Sequence, residues 1–168
     1  MKHLRIILFT ILATTAVLAS AQQGKIAYIN SQELLSLLPE AKVANAKLTA
    51  YAKEFETQYQ AYGQEYQNLV NEIQNNPALT EVAREAKVQD AVMLEQRIQQ
   101  FEQDSQTKLD NKKAELFQPI ITATTETIKT VAKENGYTYV IDNSLSVLIM
   151  APEGDDILPL VKKKLNIL

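Results

Sequence analysis

The sequence predicts an α+β, mostly α chain in which a small β-rich body carries a long, protruding antiparallel αα-hairpin. The helices are predicted by two long polar stretches on either side of the turn-forming sequence NNPALT, the first of which repeats apolar residues every three or four positions. The body is predicted by β-forming segments that lie near the two ends of the chain, at 25–30 and 137–151.

The first 21 residues have the composition of a secretory signal peptide. Two basic residues precede an apolar run at 6–18, and Ala19-Ser20-Ala21 supplies the small residues of a cleavage site, so we expect cleavage after Ala21. A retained membrane anchor is the alternative, but the run is shorter than the roughly 20 residues that a spanning helix needs. No cysteine follows the cleavage site, which argues against a lipid-anchored lipoprotein.

The composition of the mature chain, predicted to be one domain over residues 22–168, disfavours most enzyme classes. It has neither His nor Cys, since the only histidine, His3, lies in the signal peptide. The Ser-His and Cys-His nucleophiles and the common zinc ligands are therefore absent. Its 15 basic and 20 acidic residues are not the balance of a nucleic-acid-binding protein. We predict no enzyme, cofactor or metal; chemistry by paired carboxylates is a distant alternative.

The first segment of the body is predicted to be a strand, KIAYIN at 25–30, with apolar residues on both faces. Asn30 can cap a short apolar helix, QELLSLL, and Glu33 has the spacing of a capping box. Pro39 ends this helix, and because proline is tolerated in a first turn it can also start the next one.

The hairpin arm is predicted to span 40–118, with the body formed by 22–39 and 119–168. Its first helix ends near residue 76, and the second begins after Thr80 as N-cap and runs to a stop at Gly136. Pro119 is expected to interrupt and kink the second helix. At 1.5 Å per residue the two arm segments would be roughly 55 and 58 Å long.

The C-terminal part of the body is predicted to contain an antiparallel hairpin of YTYVID and SVLIMA, followed by a short helix. Three apolar strands would leave unpaired edges, so we predict a core that other subunits complete. The residues assigned to this oligomer core are Ile26, Ile29, Val140, Ile141, Val147 and Ile149. The alternative is a monomer in which the terminal helices cover the sheet.

The first arm helix carries a row of apolar and aromatic residues, here called the aromatic stripe. The stripe consists of Leu48, Tyr51, Phe55, Tyr59, Tyr62 and Tyr66, and Leu69 and Ile73 continue it. Its outer half is expected to close as an ordinary seam, because the facing segment of the second arm is apolar. That segment offers Val82, Ala86, Val88, Val92 and Met93.

The inner half of the stripe would face 102–113, in which Leu109 is the only apolar residue. Leu48, Tyr51 and Phe55 are therefore predicted to lie uncovered, as a binding surface whose hydroxyl groups stay in water. Packing of the stripe on Phe101, on Leu109 or on a neighbouring subunit is the alternative, since aromatic rows at helical spacing commonly form seams.

The two end segments resemble a known family. KIAYINSQELLSLLPEAKVANAKL and VAKENGYTYVIDNSLSVLIMAPEGDDILPLVKKKL are similar to the Skp/OmpH family of periplasmic chaperones. The resemblance implies a jellyfish-like homotrimer in the periplasm of a Gram-negative cell, with three helical hairpins around a cavity. There it would hold unfolded outer-membrane β-barrel proteins without ATP, and the aromatic stripe would contact these clients.

Charge distinguishes this chain from the family's best-studied members, which are strongly basic with positive arm tips. The mature chain has a net charge of −5, and its tip, NNPALTEVAREAK, is mixed in charge. Binding of lipopolysaccharide or anionic membrane is therefore not carried over. The sequence DDILP replaces the family's usual Asp-Ile-Thr, so the last helix is expected to start differently. A structural or adaptor hairpin with one fixed envelope partner is the rival function.

Overall fold

The structure is a computed structural model that describes residues 24–167, so the predicted signal peptide and its cleavage site lie outside the described residues. The fold class predicted from the sequence is confirmed: within the described residues, a two-stranded sheet accompanies two long helices and two short ones. The elements in chain order are β1 Lys25–Ile29, α1 Ser31–Leu37, α2 Pro39–Asn75, α3 Glu81–Glu134, β2 Tyr137–Asp142 and α4 Leu158–Lys164, with a 3-10 helix at Glu153–Asp155 before α4.

The starts of α1 and α2 follow the local signals in the sequence. The side-chain oxygen of Asn30 accepts a hydrogen bond from the Glu33 N–H at 2.9 Å, which satisfies one of the free donors at the start of α1. Pro39 is in the first turn of α2, where its missing N–H costs no helical hydrogen bond. Both predicted helix starts are confirmed.

The hairpin is formed by α2 with 37 residues and α3 with 54 residues. At 1.5 Å per residue these helices are about 55 and 80 Å long. In the turn between them, the Ala78 N–H donates to the Asn76 side chain at 3.0 Å, and Thr80 accepts from the Ala83 N–H at 3.3 Å. The predicted turn and N-cap are confirmed.

Pro119 lies inside α3 and does not end it, so the predicted interruption is wrong. An interior proline costs about 3 kcal/mol because it removes a hydrogen bond and crowds the preceding turn. The helix nevertheless continues into the body, where burial of Val131 and Ala132 stabilises its last turns. The helix ends at Glu134 with Asn135 as its C-cap, and Gly136 has a φ of 74°, as its predicted role as a helix stop requires.

The sheet consists of β1 and β2 in parallel, with Ile26 opposite Tyr139 and Tyr28 opposite Ile141. The predicted antiparallel hairpin is therefore wrong, and the segment SVLIMA at 146–151 is not a strand. The chain turns after β2, and Ser146 has a left-handed φ of 54°. The other edge of β1 is also occupied, because the Ile157 N–H donates to the Tyr28 carbonyl at 3.0 Å.

The core of the body lies between one face of the sheet, α1, α4 and the last turns of α3. Its buried residues are Ala27, Ile29, Leu34, Val131, Ala132, Tyr137, Ile157, Leu158 and Val161. The Tyr137 hydroxyl donates to the Gly154 carbonyl at 3.1 Å, and the Lys25 ammonium lies 4.0 Å from the Tyr137 ring centre. These contacts join the two ends of the described chain.

Candidate functional site

The aromatic stripe lies along the seam between α2 and α3, and most of it is half-buried. Leu48, Tyr51, Phe55, Tyr62 and Tyr66 all have intermediate exposure. Only Tyr59 is exposed, at 45%. Leu48, Tyr51 and Phe55 were expected to lie uncovered, but they are half-buried. Their contact with clients stays a prediction.

Phe101 of α3 covers the middle of the stripe. Its ring centre lies 5.3 Å from that of Tyr62 and 6.0 Å from that of Phe55, and the Phe55 ring is 4.9 Å from Tyr51 in an edge-to-face arrangement. Such pairs contribute about 0.5–1.5 kcal/mol beyond their buried area. The contacts support the alternative in which Phe101 forms part of a seam.

A small residue of α3 is buried nearer the body than Phe101. Ser105 is only 8% exposed, and its hydroxyl has no hydrogen-bond partner within residues 24–167. Phe101, Ser105 and Leu109 follow at four-residue steps and share one face of α3, whereas the charged residues between them are exposed. Only every third or fourth residue of a helix faces its partner, so the polar residues at the other positions of 102–113 do not prevent partial cover of the stripe.

Tyr59 is the exposed member of the stripe, and its neighbour on α3 is acidic. The Glu102 carboxylate, by hydrogen bonding and then by its negative charge, raises the pKa of the Tyr59 hydroxyl. The group therefore stays protonated and neutral at physiological pH. This ring can offer apolar contact area without adding a charge.

The outer half of the arm differs from the predicted seam. Val82, Val88, Val92 and Met93 do not close it, since these residues are 79%, 42%, 44% and 58% exposed, and Ala86 is exposed as well. Leu94 is buried instead, at 7%, and Ala91 and Ile98 flank it at the spacing of one helix face with intermediate exposure. The face of α3 that meets α2 is rotated from the predicted one, which leaves these valines and Met93 in water.

One side of this outer half forms a depression of about 500 Å³ between the helices, here called the distal groove. It is lined by Glu65, Asn68, Leu69, Glu72, Asp90, Met93, Leu94 and Arg97. The Lys87 ammonium lies 2.8 Å from the Glu72 carboxylate, and the Arg97 guanidinium lies 4.9 Å from the Tyr62 ring centre. Nothing in the periodicity of either helix alone indicates this groove.

The residues predicted as oligomer core occupy two different environments in the body. Ile29 is buried in the core of this chain and Val140 packs against it. Ile26, Val147 and Ile149 are exposed, at 50%, 65% and 101%. Ile141 is half-buried. Their role between subunits stays a prediction.

Asp142 holds the end of β2 against the start of α1. The Ser31 hydroxyl and backbone N–H donate to its carboxylate, as does the Ser144 N–H at 3.0 Å. Burial raises the pKa of Asp142, but these hydrogen bonds outweigh it and lower the pKa below its usual value. The sequence offered no signal for this contact, because the partners are 111 positions apart.

Within residues 24–167, no group of three or more His, Cys, Asp or Glu side chains is placed to hold a metal ion. No helix in the same range is both long and apolar enough to cross a membrane.

Comparison with known proteins finds relatives over most of the chain. The family model OmpH, described as outer membrane protein (OmpH-like), matches residues 25–165. The chain is 27% identical over 152 residues to the chaperone protein Skp of Yersinia enterocolitica, with 86% of this chain and 90% of that protein covered. A solved structure described as an OmpH-like outer membrane chaperone from Caulobacter crescentus has a similar fold, with a TM-score of 0.68 at 13% identity, and covers 88% of this chain and 86% of its own.

Proposed function

The chain belongs to the Skp/OmpH family of chaperones, and we propose that it is an ATP-independent periplasmic holdase for unfolded outer-membrane β-barrel proteins. It would keep these clients soluble until they reach the outer membrane. The observation that supports this most is the thin helical hairpin that leaves Val82, Val88, Val92 and Met93 in water on its outer half. Val88 and Val92 are four residues apart and share one face of α3, with Met93 beside them. Contiguous exposed apolar groups of this kind are typical of binding surfaces.

We propose that the body assembles into a homotrimer through the apolar groups that one chain leaves exposed. Ile26 and its sheet partner Tyr139 are 50% and 63% exposed on the same face of the sheet. The segment after β2 adds exposed Leu145, Val147, Ile149 and Met150. Burial of apolar surface contributes about 25 cal/mol per Å², so these groups favour association with further copies.

Three arms around a cavity would bind a client through many weak contacts that add by avidity. Individually weak contacts also allow release without ATP. The half-buried aromatic stripe would contribute when α2 and α3 of one arm separate. A long hairpin with little tertiary packing opens in this way at a low free-energy cost and on slow timescales. No chemical step is required of the chain, and residues 22–168 contain neither His nor Cys.

The test is to dilute a urea-unfolded outer-membrane β-barrel protein into buffer with and without the mature chain, 22–168, and to record light scattering. We expect suppressed scattering for several unrelated β-barrel proteins. A single stoichiometric partner, with no effect on the others, would support an adaptor instead. Unchanged scattering with every client would contradict the proposal.

Localisation and assembly are tested separately on the exported protein. N-terminal sequencing of the protein from a periplasmic extract should begin at Gln22, after cleavage behind Ala21. Sedimentation equilibrium should give a mass close to three mature chains. A monomer mass at all concentrations would contradict the trimer.

A further inference from the structure

The distal groove combines an apolar floor with acidic walls. Leu94 is buried at its floor and Leu69 is half-buried, while Met93 is 58% exposed and belongs to the same lining. Methionine is unbranched and polarisable, so it adapts to apolar groups of different shape. A cavity of about 500 Å³ can take one or two side chains of an extended peptide.

The charges around this floor are unbalanced. Three carboxylates, from Glu65, Glu72 and Asp90, line the groove beside the single guanidinium of Arg97. Lys87 pairs with Glu72 at 2.8 Å and Arg97 lies over the Tyr62 ring, so both nearby cations already have a partner. Glu65 and Asp90 make no ion pair within residues 24–167. Two carboxylates therefore remain available to an incoming cation.

The surrounding arm has the same sign of charge. Residues 40–118 contain thirteen acidic and nine basic side chains, and the outer part, 60–100, contains six acidic and three basic ones. A region with net negative charge attracts cations and repels anions over about one Debye length, which is near 10 Å at moderate salt. An anionic segment or surface would be disfavoured throughout this region.

We propose that the distal groove binds unfolded segments in which Lys or Arg neighbours an apolar side chain, and discriminates against acidic ones. The aliphatic stem of Lys or Arg can lie on Met93 and Leu69 while its charged head reaches Glu65 or Asp90. The inference rests on the proposed function, since it names the kind of client segment that the arms select. It reverses the charge preference that basic arms would have.

The experiment measures fluorescence anisotropy of short labelled peptides that share one Leu- and Ser-containing sequence and carry Lys, Gln or Glu at the same positions. With the mature chain we expect the Lys peptide to bind most tightly and the Glu peptide most weakly, and the difference to shrink at high salt. Equal affinity for all three, or tighter binding of the Glu peptide or of anionic lipid vesicles, would overturn the proposal.

Variants locate the preference. Glu65→Gln with Asp90→Asn should weaken the Lys peptide by about 3- to 10-fold, as expected for the loss of two exposed ion pairs, and leave the Gln peptide unchanged. The matched control, Glu54→Gln with Glu95→Gln, removes the same net charge from exposed arm residues outside the groove. An equal loss of affinity for the Lys peptide in the control would overturn the assignment of binding to the distal groove, since it would show a general effect of charge.

A second variant tests the apolar floor and protects against a folding artefact. Met93→Ser should weaken the Lys and Gln peptides by the same factor, with an unchanged helical circular dichroism spectrum. No loss for either peptide would overturn the role of the floor. Light scattering of a β-barrel client with the same samples separates the two proposals. If scattering is suppressed but the peptides bind equally, only the role of the distal groove is overturned. If the peptides are discriminated but scattering is not suppressed, only the holdase function is overturned.

Discussion

The body and the arms of this chain keep apolar side chains from water to very different extents. In the body, Ile29, Leu34, Ile157 and Val161 are 0–2% exposed, because a sheet and three helices surround them. Along arm positions 45–118 only Leu94 and Ser105 are buried. Two helices side by side can bury one stripe each and no more. Buried contacts in the body therefore contribute most of the stability of the chain, and α2 and α3 can separate along the arm while the body stays folded.

The largest effect is expected in the body. Leu34→Ala removes a side chain that is 0% exposed and leaves a cavity, so it should lower the free energy of unfolding by about 2–5 kcal/mol. The measurement is urea denaturation followed by circular dichroism. Leu160→Ala on α4 is the matched control, because Leu160 is 39% exposed. Equal losses in the two variants would remove the distinction between buried core and exposed surface.

A smaller and local effect is expected in the arm seam. Phe101→Ala removes two ring contacts, with Phe55 and Tyr62, and should cost about 1–3 kcal/mol. Hydrogen exchange should become faster in α2 and α3 near these rings and stay unchanged in the body. Val82→Ala, at a side chain that is 79% exposed, should leave exchange unaltered. Faster exchange in the body of Phe101→Ala would show that the arm and the body unfold together.

Ser105→Ala should stabilise the arm. The buried hydroxyl has no hydrogen-bond partner within residues 24–167, and a group of this kind costs about 1–3 kcal/mol. Slower hydrogen exchange around position 105 is the expected readout. Gln103→Ala, at an exposed position two residues away, should change little. A destabilised Ser105→Ala variant would mean that the hydroxyl has a partner, such as an ordered water.

The smallest effect is expected on the stability of the body at low pH. The pKa of Asp142 is lower in the folded chain than in the unfolded one, so its contribution to stability is present above the unfolded pKa of about 3.9. That contribution is lost as the pH falls through the folded pKa. Asp142→Asn should therefore flatten the loss of stability in urea titrations from about pH 5 downward. An unchanged acid limb would show that other carboxylates dominate it.

Several features were predictable because they depend on residues a few positions apart. Asn30 with Glu33, Pro39, Thr80 and Gly136 each set a helix end through local hydrogen bonds or a restricted φ, and the structure agrees at all of them. The predicted pairing of the two long helices was also close at Phe55, which was expected to face 102–113 and contacts the adjacent Phe101.

Other features depended on packing between distant parts of the chain. The rotation of α3, which buries Leu94 and exposes Val88 and Met93, follows from how two whole helices meet and not from the apolar pattern of either one. The distal groove also depends on how the two helices meet, because its lining residues come from both α2 and α3.

Local signals in the sequence were sufficient to predict the helix ends, the long hairpin and the strands at 25–29 and 137–142, because caps, turns and periodicity act over a few residues. The parallel pairing of β1 with β2, the irregular backbone at 146–151 and the continuity of α3 through Pro119 became apparent only in the folded chain. These outcomes depend on which distant edges and faces are already occupied. No local pattern encodes that information.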